Sequence, residues 1–469
     1  MKVEQIYTGC LAQGAYYIES NGEVAIIDPL REVDPYIEKA KDNNATIKYI
    51  FETHFHADFV SGHITLSKKT GAPIIYGPNA QTNFEAIIAT DGQEFKLGEI
   101  TIKVVHTPGH TMESTTYLLK DADGEDHAIF SGDTLFLGDV GRPDLAQKSG
   151  KLTKEDLAGH LYDSLRNKIM TLNDEVIVYP AHGAGSACGK NLSKETVGTI
   201  GGQKQNNYAL KADMTKEEFV KEVTDGLLPP PVYFPANVKM NKEGYQDFGE
   251  VLQKGSKALH PFEFEQIANE TGALILDVRH QDDYAKGHIP NAIFIGLNGG
   301  FAPWVGALIG DVKHPILLIT PEGKEEEAIT RLSRVGFDNT LGYLKGGFTA
   351  WKEIGKEFDM VHSITASAFK EQLNADSSVF DVRKEGEFTS EHIPDVKHTP
   401  LSSINNFLNE FPKNETFYVH CAGGYRSMIA ASILKSRGIH NFIDVKGGFK
   451  AIKEVGIKTT EYVCPSTLN

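Results

Sequence analysis

The feature that most constrains the fold is an internal repeat in the second half of the chain. The sequence Asp277-Val-Arg279 occurs again as Asp381-Val-Arg383. Further along, His288-Ile-Pro290 occurs again as His392-Ile-Pro394, and both pairs are 104 positions apart. A Lys-Gly-Gly-Phe sequence is also repeated after 101 positions, so the second copy is slightly shorter. Self-similarity of this kind predicts two tandem domains of about 100 residues each.

Each copy alternates short β-rich stretches with helical ones. In the second copy, Phe417–His420 is a predicted strand and Ser427–Ser436 a predicted helix. This alternation predicts a small parallel α/β domain. The region from Tyr16 to Pro180 has many short strands with interspersed helices, which predicts a larger mixed α/β domain. Its predicted strands are Val24–Ile27, Tyr49–Glu52, Ile102–Val105, His127–Phe130 and Glu175–Tyr179, and Asp34–Lys41 is a predicted helix.

A run of prolines separates the first region from the repeats. Pro229–Pro231 lacks the N–H donors that a helix or a central strand requires. We therefore predict three domains, at residues 1–245, 256–357 and 361–469.

Charge and cysteine content exclude several classes of protein. The 469 residues include 47 Lys and Arg against 63 Asp and Glu, a formal net charge of −16. That balance argues against a nucleic-acid or anionic-membrane partner. No stretch approaches the roughly 18 uncharged apolar residues of a membrane span, and the first residues do not resemble a signal peptide, so we predict a cytoplasmic protein. The four cysteines are too widely spaced for a disulfide framework or a Cys-x-x-Cys zinc site.

Imidazole and carboxylate side chains follow several predicted strands of the first region. Because a sheet fixes the bases of such loops, their side chains can converge on one point, and this donor set predicts a shared metal site. The residues in these four loops are His54, His56 and Asp58 in the first, His106 and His110 in the second, Asp133 in the third and His182 in the fourth.

These four loops resemble those of the metallo-β-lactamase superfamily, over approximately residues 1 to 245. The resemblance implies an αββα sandwich with metal at one edge. In dinuclear hydrolases of that superfamily, such as glyoxalase II, the first motif ends in a histidine that serves the second metal. Phe59 stands at that place here. A benzyl group cannot coordinate, so we expect a mononuclear centre.

Within the superfamily the chain most resembles the persulfide dioxygenases. That resemblance implies one Fe(II) per chain, rather than zinc, held by His54, His110 and Asp133 with positions left open for substrate and O₂. It also implies that Arg142 and Asp144 help to bind the thiol carrier. His56, Asp58 and His182 would be remnants of the second metal site or would orient the ligands. Cys188 is a candidate accessory thiol, and a buried inert cysteine is the alternative.

A cysteine loop lies between a predicted strand and a predicted helix in the second copy. A thiolate of Cys421 at the helix N-terminus, beside Arg426, is expected to be stabilised and nucleophilic. The loop resembles the Cys-x-x-Gly-x-Arg active site of rhodanese-type sulfurtransferases, whereas related phosphatases use a loop one residue longer. The catalytic pair would be Cys421 and Arg426. The expected substrate-binding residues of the loop are Gly423, Gly424, Tyr425 and Ser427.

The first copy resembles a catalytically silent rhodanese domain. It contains no cysteine, and the corresponding strand end leads into an acidic loop, Pro321 to Glu327, that would repel a sulfur oxyanion. We expect this copy to act in scaffolding, spacing or oligomer contact. The loop from Gly299 to Trp304 is a candidate contact surface, although Trp304 packing within its own domain is an equal alternative.

The domain order is similar to that of bacterial persulfide dioxygenase–sulfurtransferase fusions of sulfide detoxification. That implies oxidation of a low-molecular-weight thiol persulfide by O₂ to sulfite, followed by transfer of sulfane sulfur through Cys421 to give thiosulfate. The expected partners are these small molecules and a second copy of the chain. Two alternatives stay open: a glyoxalase II-type dinuclear zinc thioester hydrolase with an appended sulfurtransferase, and a non-enzymatic sulfur carrier or sensor. The sequence leaves the thiol carrier open between glutathione, coenzyme A and another thiol.

Overall fold

A computed structural model describes residues 1–147, 151–190 and 192–464 of the chain. These residues divide into two compact units. One unit consists of Met1–Glu250 with Leu332–Gly336, and the other of Val251–Arg331 with the residues from Phe337 onward. None of the helices in the described ranges is both long and apolar enough to cross a membrane.

Two mixed sheets build the first unit, and in each the strand order follows the chain. In the described ranges the first sheet consists of β1 (Lys2–Thr8), β2 (Gln13–Ser20), β3 (Glu23–Ile27), β4 (Thr46–Phe51), β5 (Ile74–Tyr76) and β6 (Ile87–Ile88). The second consists of β7 (Glu94–Leu97), β8 (Ile100–His106), β9 (Thr115–Lys120), β10 (Asp126–Gly132), β11 (Ile177–Pro180) and β12 (Gly198–Thr199).

Helices cover the outer face of each sheet, which gives the predicted αββα sandwich. The inner faces pack on each other through buried side chains such as Phe51 of the first sheet and Phe95 and Tyr117 of the second. The helices of this unit are α1 (Asp34–Asp42), α2 (His63–Thr70), α3 (Lys154–Ser164), α4 (Ile200–Asn206), α5 (Lys216–Thr224) and α6 (Phe234–Glu243). Because both faces of each sheet are covered, the loops at the strand ends lie on a rigid frame.

Helix α7 (Phe248–Gly255) leads into the second unit, which holds two copies of one fold. The strands of the first copy are β13 (Ala258–Leu259), β14 (Leu274–Asp277), β15 (Ile293–Phe294), β16 (Ile316–Ile319) and β17 (Thr340–Leu344). Its helices are α8 (Pro261–Thr271), α9 (Gln281–Lys286), α10 (Phe301–Ile309), α11 (Glu325–Arg334) and α12 (Gly347–Glu353). Strand β16 is apolar and buried throughout, as expected of a central parallel strand covered on both faces.

The second copy repeats this arrangement. Its strands are β18 (Ser363–Ile364), β19 (Ser378–Asp381), β20 (Lys397–His398), β21 (Phe417–His420) and β22 (Phe442–Val445). Its helices are α13 (Ala366–Gln372), α14 (Glu385–Ser390), α15 (Tyr425–Ser436) and α16 (Gly448–Glu454), with a 3₁₀ segment at Leu401–Glu410. The order β13-β17-β16-β14-β15 matches β18-β22-β21-β19-β20, and all pairs in both sheets are parallel.

The repeated motif also forms the same contact in both copies. Arg279 pairs with Asp277 at 2.5 Å, and Arg383 pairs with Asp381 at 2.6 Å. The predicted tandem parallel α/β folds are therefore confirmed. The domain limits 1–245, 256–357 and 361–469 stay predictions, and residues 465–469 lie outside the described residues.

Candidate metal centre and cysteine loop

The three side chains predicted to hold iron converge at one edge of the sandwich. Each lies just past a strand: His54 after β4, His110 after β8 and Asp133 directly after β10. All three are buried, and Oδ2 of Asp133 lies 3.8 Å from Nε2 of His54 and 3.4 Å from Nε2 of His110. Their candidate ligand atoms all lie within 4.8 Å of one another. Three such donors at this spacing fit a single metal ion.

Hydrogen bonds orient both histidines for that role. Nδ1 of His110 lies 2.8 Å from the carbonyl oxygen of Arg142, which can only accept. Nδ1 of His54 lies 3.0 Å from the hydroxyl of Thr53, whose proton is donated to Asp28. Both Nδ1 atoms therefore carry the proton, and the lone pair of each Nε2 faces Asp133. Burial, with the neighbouring His56, His110 and His182, holds the pKa of His54 well below its ordinary value, which keeps the ring neutral.

The carboxylate of Asp133 is the third candidate metal ligand. Both of its oxygens are buried without a hydrogen-bond partner in the described part of the chain. A buried carboxylate that lacks donors is costly unless a cation neutralises it. The preceding Gly132 has φ +52°, and a Cβ there would lie 2.7 Å from the side chain of Thr53, so the turn that aims Asp133 favours glycine. The residues present therefore fit a bound metal.

The remaining polar residues of these loops form a second candidate ligand group, because candidate atoms of His56, Asp58 and His182 lie within 4.8 Å of one another. Nε2 of His182 lies 3.5 Å from oxygens of both Asp58 and Asp133, beside the triad. Nε2 of His56 lies 3.0 Å from Oδ1 of Asp28, and the ring of Phe59 packs on the ring of His56 at 4.4 Å. Burial opposes charge on His56, but Asp28 and other nearby carboxylates outweigh it and raise the pKa of His56 to about 9.

Cys188 lies beside the triad, and its accessory role stays a prediction. It is buried, and its sulfur groups with Asp133 and His182 as a candidate ligand set. Burial, with Asp58 and Asp133 nearby, holds the pKa of the Cys188 thiol well above its ordinary value. The group is therefore a neutral thiol at physiological pH in the arrangement described.

Arg142 and Asp144 form a closed set of contacts near the triad. The guanidinium of Arg142 is 6% exposed and pairs with both oxygens of Asp144, at 2.6 and 2.7 Å. It also donates to the carbonyl oxygens of Ala187 and Leu228. These bonds connect three loops. They use the N–H donors of Arg142, which were predicted to bind the thiol carrier. The carrier-binding role of this pair stays a prediction.

The cysteine loop joins β21 to α15 in the second copy. Gly424 has φ +99°, and its N–H donates to Sγ of the buried Cys421 at 3.1 Å. Arg426 lies next to this loop, but its guanidinium forms a bidentate pair with Glu387 at 2.5 and 2.8 Å. The hydroxyl of Ser427 donates to Asp444 at 2.7 Å. The loop therefore holds the sulfur at a helix N-terminus, while Arg426 and Ser427 fix the first turn of that helix.

The other predicted loop residues lie as follows. Gly423 is exposed at the tip of the loop. Tyr425 is half-buried and donates its hydroxyl proton to the carbonyl oxygen of Gly296 in the first copy. At the end of β16 in the first copy, the place of Cys421 is taken by Thr320, whose hydroxyl donates to Glu325. The first copy thus has no thiol at its strand end.

Sequence reasoning missed Asp28, Glu387 and Asp444, which hold His56, Arg426 and Ser427. Asp28 directly follows β3, so the signal that found the other carboxylate and histidine loops was present for it as well. Glu387 and Asp444 lie 39 and 17 residues from their partners. No local pattern predicts those two contacts.

Comparison with known proteins agrees with this geometry. The model of the metallo-beta-lactamase superfamily matches residues 8–182, and the model of the rhodanese-like domain matches residues 261–354 and 365–455. The chain belongs to the metallo-β-lactamase superfamily and carries two rhodanese-like domains. A solved metallo-beta-lactamase of Staphylococcus aureus is 30% identical, with a TM-score of 0.64 over 74% of this chain and 98% of that one. The predicted fold and the fusion are therefore confirmed.

Two curated relatives of the metallo-β-lactamase domain carry names of different chemistry. The mitochondrial persulfide dioxygenase ETHE1 of Homo sapiens is 29% identical over 228 residues, which cover 46% of this chain and 79% of that protein. The cytoplasmic hydroxyacylglutathione hydrolase of Arabidopsis thaliana is 31% identical over 180 residues, or 37% of this chain and 65% of that protein. Similar identity to both supports an enzyme of this superfamily without choosing between oxidation and hydrolysis.

Proposed function

We propose that the metallo-β-lactamase domain oxidises a low-molecular-weight thiol persulfide with O₂, using one Fe(II) held by His54, His110 and Asp133. Iron held by these two imidazoles and one carboxylate would supply the activation of O₂ and of the persulfide sulfur. The oxidation consumes one persulfide, one O₂ and one water, and yields sulfite and the free thiol.

The observation that carries this proposal is Phe59, which offers no ligand atom. Its ring is buried and packs on the ring of His56 at 4.4 Å, where dinuclear relatives place a further histidine. A second metal would thus lose one donor, whereas the triad keeps both histidine lone pairs aimed at Asp133. This supports a mononuclear centre.

We further propose that Cys421 transfers sulfur in the second rhodanese-like domain. The thiolate attacks the sulfane sulfur of a second persulfide, the S–S bond of the donor breaks, and the thiol carrier leaves with a proton. Sulfite then attacks the terminal sulfur of the cysteine persulfide, which releases thiosulfate and restores the thiolate. The N–H of Gly424, 3.1 Å from Sγ, is placed to stabilise negative charge on that sulfur.

A dinuclear thioester hydrolase is the second candidate for the metallo-β-lactamase domain. It is favoured by His182, whose Nε2 lies 3.5 Å from both Asp58 and Asp133 and has no hydrogen-bond partner among the described residues. A bridging carboxylate and a further histidine are suitable ligands for a second ion.

Metal analysis of protein purified under nitrogen separates the two candidates. The dioxygenase predicts one iron per chain and O₂ uptake with glutathione persulfide or coenzyme A persulfide. Two zinc ions per chain, with hydrolysis of a glutathione thioester and no O₂ uptake, would reject it. Metal-free protein that binds persulfide at Cys421 without turnover would indicate a sulfur carrier or sensor.

A further inference from the structure

Tyr425 links the cysteine loop to the silent copy within the second unit. It is the first residue of α15, between Gly424 and Arg426. Its hydroxyl donates to the carbonyl oxygen of Gly296 at 2.7 Å. Its ring packs edge-on against the ring of Phe294, with 6.0 Å between the ring centroids. Both partners belong to the first copy. Burial raises the pKa of Tyr425 above its ordinary value, so the phenol stays a donor at neutral pH.

The loop Gly296–Gly300 of the silent copy is shaped around this ring, and we call it the tyrosine socket. A Cβ at Gly299 would lie 2.4 Å from Cζ of Tyr425 and within 2.7 Å of both Cε atoms. A larger residue at Gly299 would therefore push the ring aside. Gly300 differs, since a Cβ there would come no closer than 3.4 Å to Trp304, an ordinary contact.

Helix α11 of the silent copy holds the tyrosine socket. Arg331 donates to the carbonyl oxygens of Leu297 at 2.7 Å and of Gly299 at 3.2 Å. Glu327, on the same helix, pairs with Arg331 at 3.2 Å. In the repeat, α11 corresponds to α15, the helix that follows the cysteine loop. The helix that follows the strand end of the first copy therefore orders a loop that contacts the first residue of α15 in the second copy.

The three side chains that begin α15 are anchored on three different partners. Arg426 pairs with Glu387 and Ser427 bonds to Asp444, both within the second copy. Tyr425 is anchored on the silent copy. Because α15 starts at Tyr425, its anchor also fixes the adjacent Gly424, whose N–H reaches Sγ of Cys421.

We propose that the silent rhodanese-like domain is a positioning element for Cys421, and that it acts by seating Tyr425 in the tyrosine socket. Tyr425 is then a positioning residue rather than the substrate-binding residue that the sequence predicts. This inference rests on the proposed role of Cys421 in sulfur transfer. It gives the silent copy a direct part in that reaction.

A matched pair of glycine substitutions tests the proposal. Gly299→Ala displaces the ring, and Gly300→Ala in the same loop is the control. The rate of Cys421 alkylation by iodoacetamide, followed on the Cys421 peptide by mass spectrometry, needs no sulfur donor. We expect the alkylation rate to change by at least about fivefold in Gly299→Ala, because the thiol either loses the N–H donor of Gly424 or becomes more exposed. The change in Gly300→Ala should be less than about twofold.

Steady-state kinetics distinguish a positioning role of Tyr425 from general structural damage. With glutathione persulfide and sulfite, kcat for sulfur transfer should fall at least about fivefold in Gly299→Ala, while KM for sulfite stays within about twofold. Tyr425→Phe keeps the ring and loses only the bond to Gly296, so its kcat should lie between those of wild type and Gly299→Ala. Oxygen uptake by the other unit should be unchanged in all three variants.

A double-mutant cycle decides whether the effect passes through the ring. In a Tyr425→Ala background Gly299→Ala should add less than about twofold, because no ring is left to displace. An equal effect of Gly299→Ala with and without the ring would overturn the proposal, as would equal behaviour of Gly299→Ala and Gly300→Ala. If Gly299→Ala does not fold, wild-type alkylation and kcat in Tyr425→Ala would overturn it. Altered alkylation in Gly299→Ala with no sulfur transfer by any protein would instead reject the proposed function alone.

Discussion

At the scale of a single residue, a substitution of Asp133 gives the most direct test of the proposed metal site. It supplies the one carboxylate of the proposed iron triad, and both of its oxygens are buried without a hydrogen-bond donor among the described residues. Loss of an outer partner of a metal ligand typically weakens metal binding about 10- to 100-fold, so loss of a ligand should cost more. We expect Asp133→Ala to purify without iron and to lose O₂ uptake.

Asp58→Ala is the matched control, because Asp58 is also buried in these loops but lies outside the triad. It should keep about one iron per chain. Iron content by plasma mass spectrometry and O₂ uptake with an oxygen electrode are the two measurements. Wild-type uptake in Asp133→Ala would contradict the ligand assignment.

Phe59 tests why the centre should hold one metal. Its ring is fully buried and packs on His56, where an imidazole would add a donor. We expect Phe59→His protein, supplied with zinc, to bind a second metal ion and to gain some thioester hydrolysis. Phe59→Leu, which adds no donor, should stay at one metal per chain. A metal content of one in both variants would contradict Phe59 as the reason for a single metal.

At the scale of elements, much of the site could be predicted from the residues that come directly after strands. The predicted strand Phe417–His420 is β21 itself, and the helix predicted over Asp34–Lys41 ends one residue later, at Asp42. Apolar and β-branched stretches mark such strands, and the sheet then brings the loops after β4, β8, β10 and β11 together. The convergence of His54, His110 and Asp133 was therefore predictable without knowing any distance.

Contacts that join distant elements were not predictable in this way. The sequence predicted Arg426 beside Cys421, but it gave no sign of the pairing of Arg426 with Glu387 on α14. It likewise gave no sign that the hydroxyl of Tyr425 bonds to Gly296 of the silent copy, 129 residues away. Which partner a long polar side chain selects depends on tertiary packing, and no spacing within the cysteine loop encodes it.

The contact between β22 and α15 gives a pH-dependent prediction. Burial raises the pKa of Asp444 to about 6, although Ser427 donates to it. The folded state thus favours the protonated acid, so the carboxylate costs stability as pH rises from about 4 through 6. Asp444→Asn removes that cost and keeps an oxygen to accept from Ser427. We expect its free energy of unfolding to exceed that of wild type by up to about 3 kcal/mol at pH 8 and to differ little at pH 4.

Thermal unfolding of wild type and Asp444→Asn at the two pH values checks this prediction. The variant should unfold at a higher temperature at pH 8, and the difference should shrink at pH 4. A variant that unfolds earlier than wild type at pH 8 would show that the ionised carboxylate contributes net stability.

At the scale of the whole molecule, the internal repeat and the four loops were enough to predict the order of the domains. The repeat is readable because both copies keep the residues that build their sheets, including the ion pairs of Arg279 and Arg383. The role of the silent copy was not readable, since its Gly296–Gly300 loop has no counterpart motif in the second copy. We therefore assign each of the two proposed reactions to its own compact unit.

The two proposed reactions are separable because Cys421 and the triad lie in different compact units. Cys421→Ser should leave iron content and O₂ uptake unchanged. A hydroxyl is far less acidic than a thiol and cannot form the persulfide, so sulfite would have no enzymatic sulfur donor.

Product analysis combined with O₂ uptake, on wild type and Cys421→Ser given glutathione persulfide or coenzyme A persulfide, tests the two proposed reactions most directly. We expect equal uptake by both proteins, with thiosulfate from wild type and sulfite from the serine variant. No O₂ uptake by iron-loaded wild type would contradict the persulfide dioxygenase. Thiosulfate formed at the wild-type rate by Cys421→Ser, after subtraction of the uncatalysed reaction, would contradict the role of Cys421.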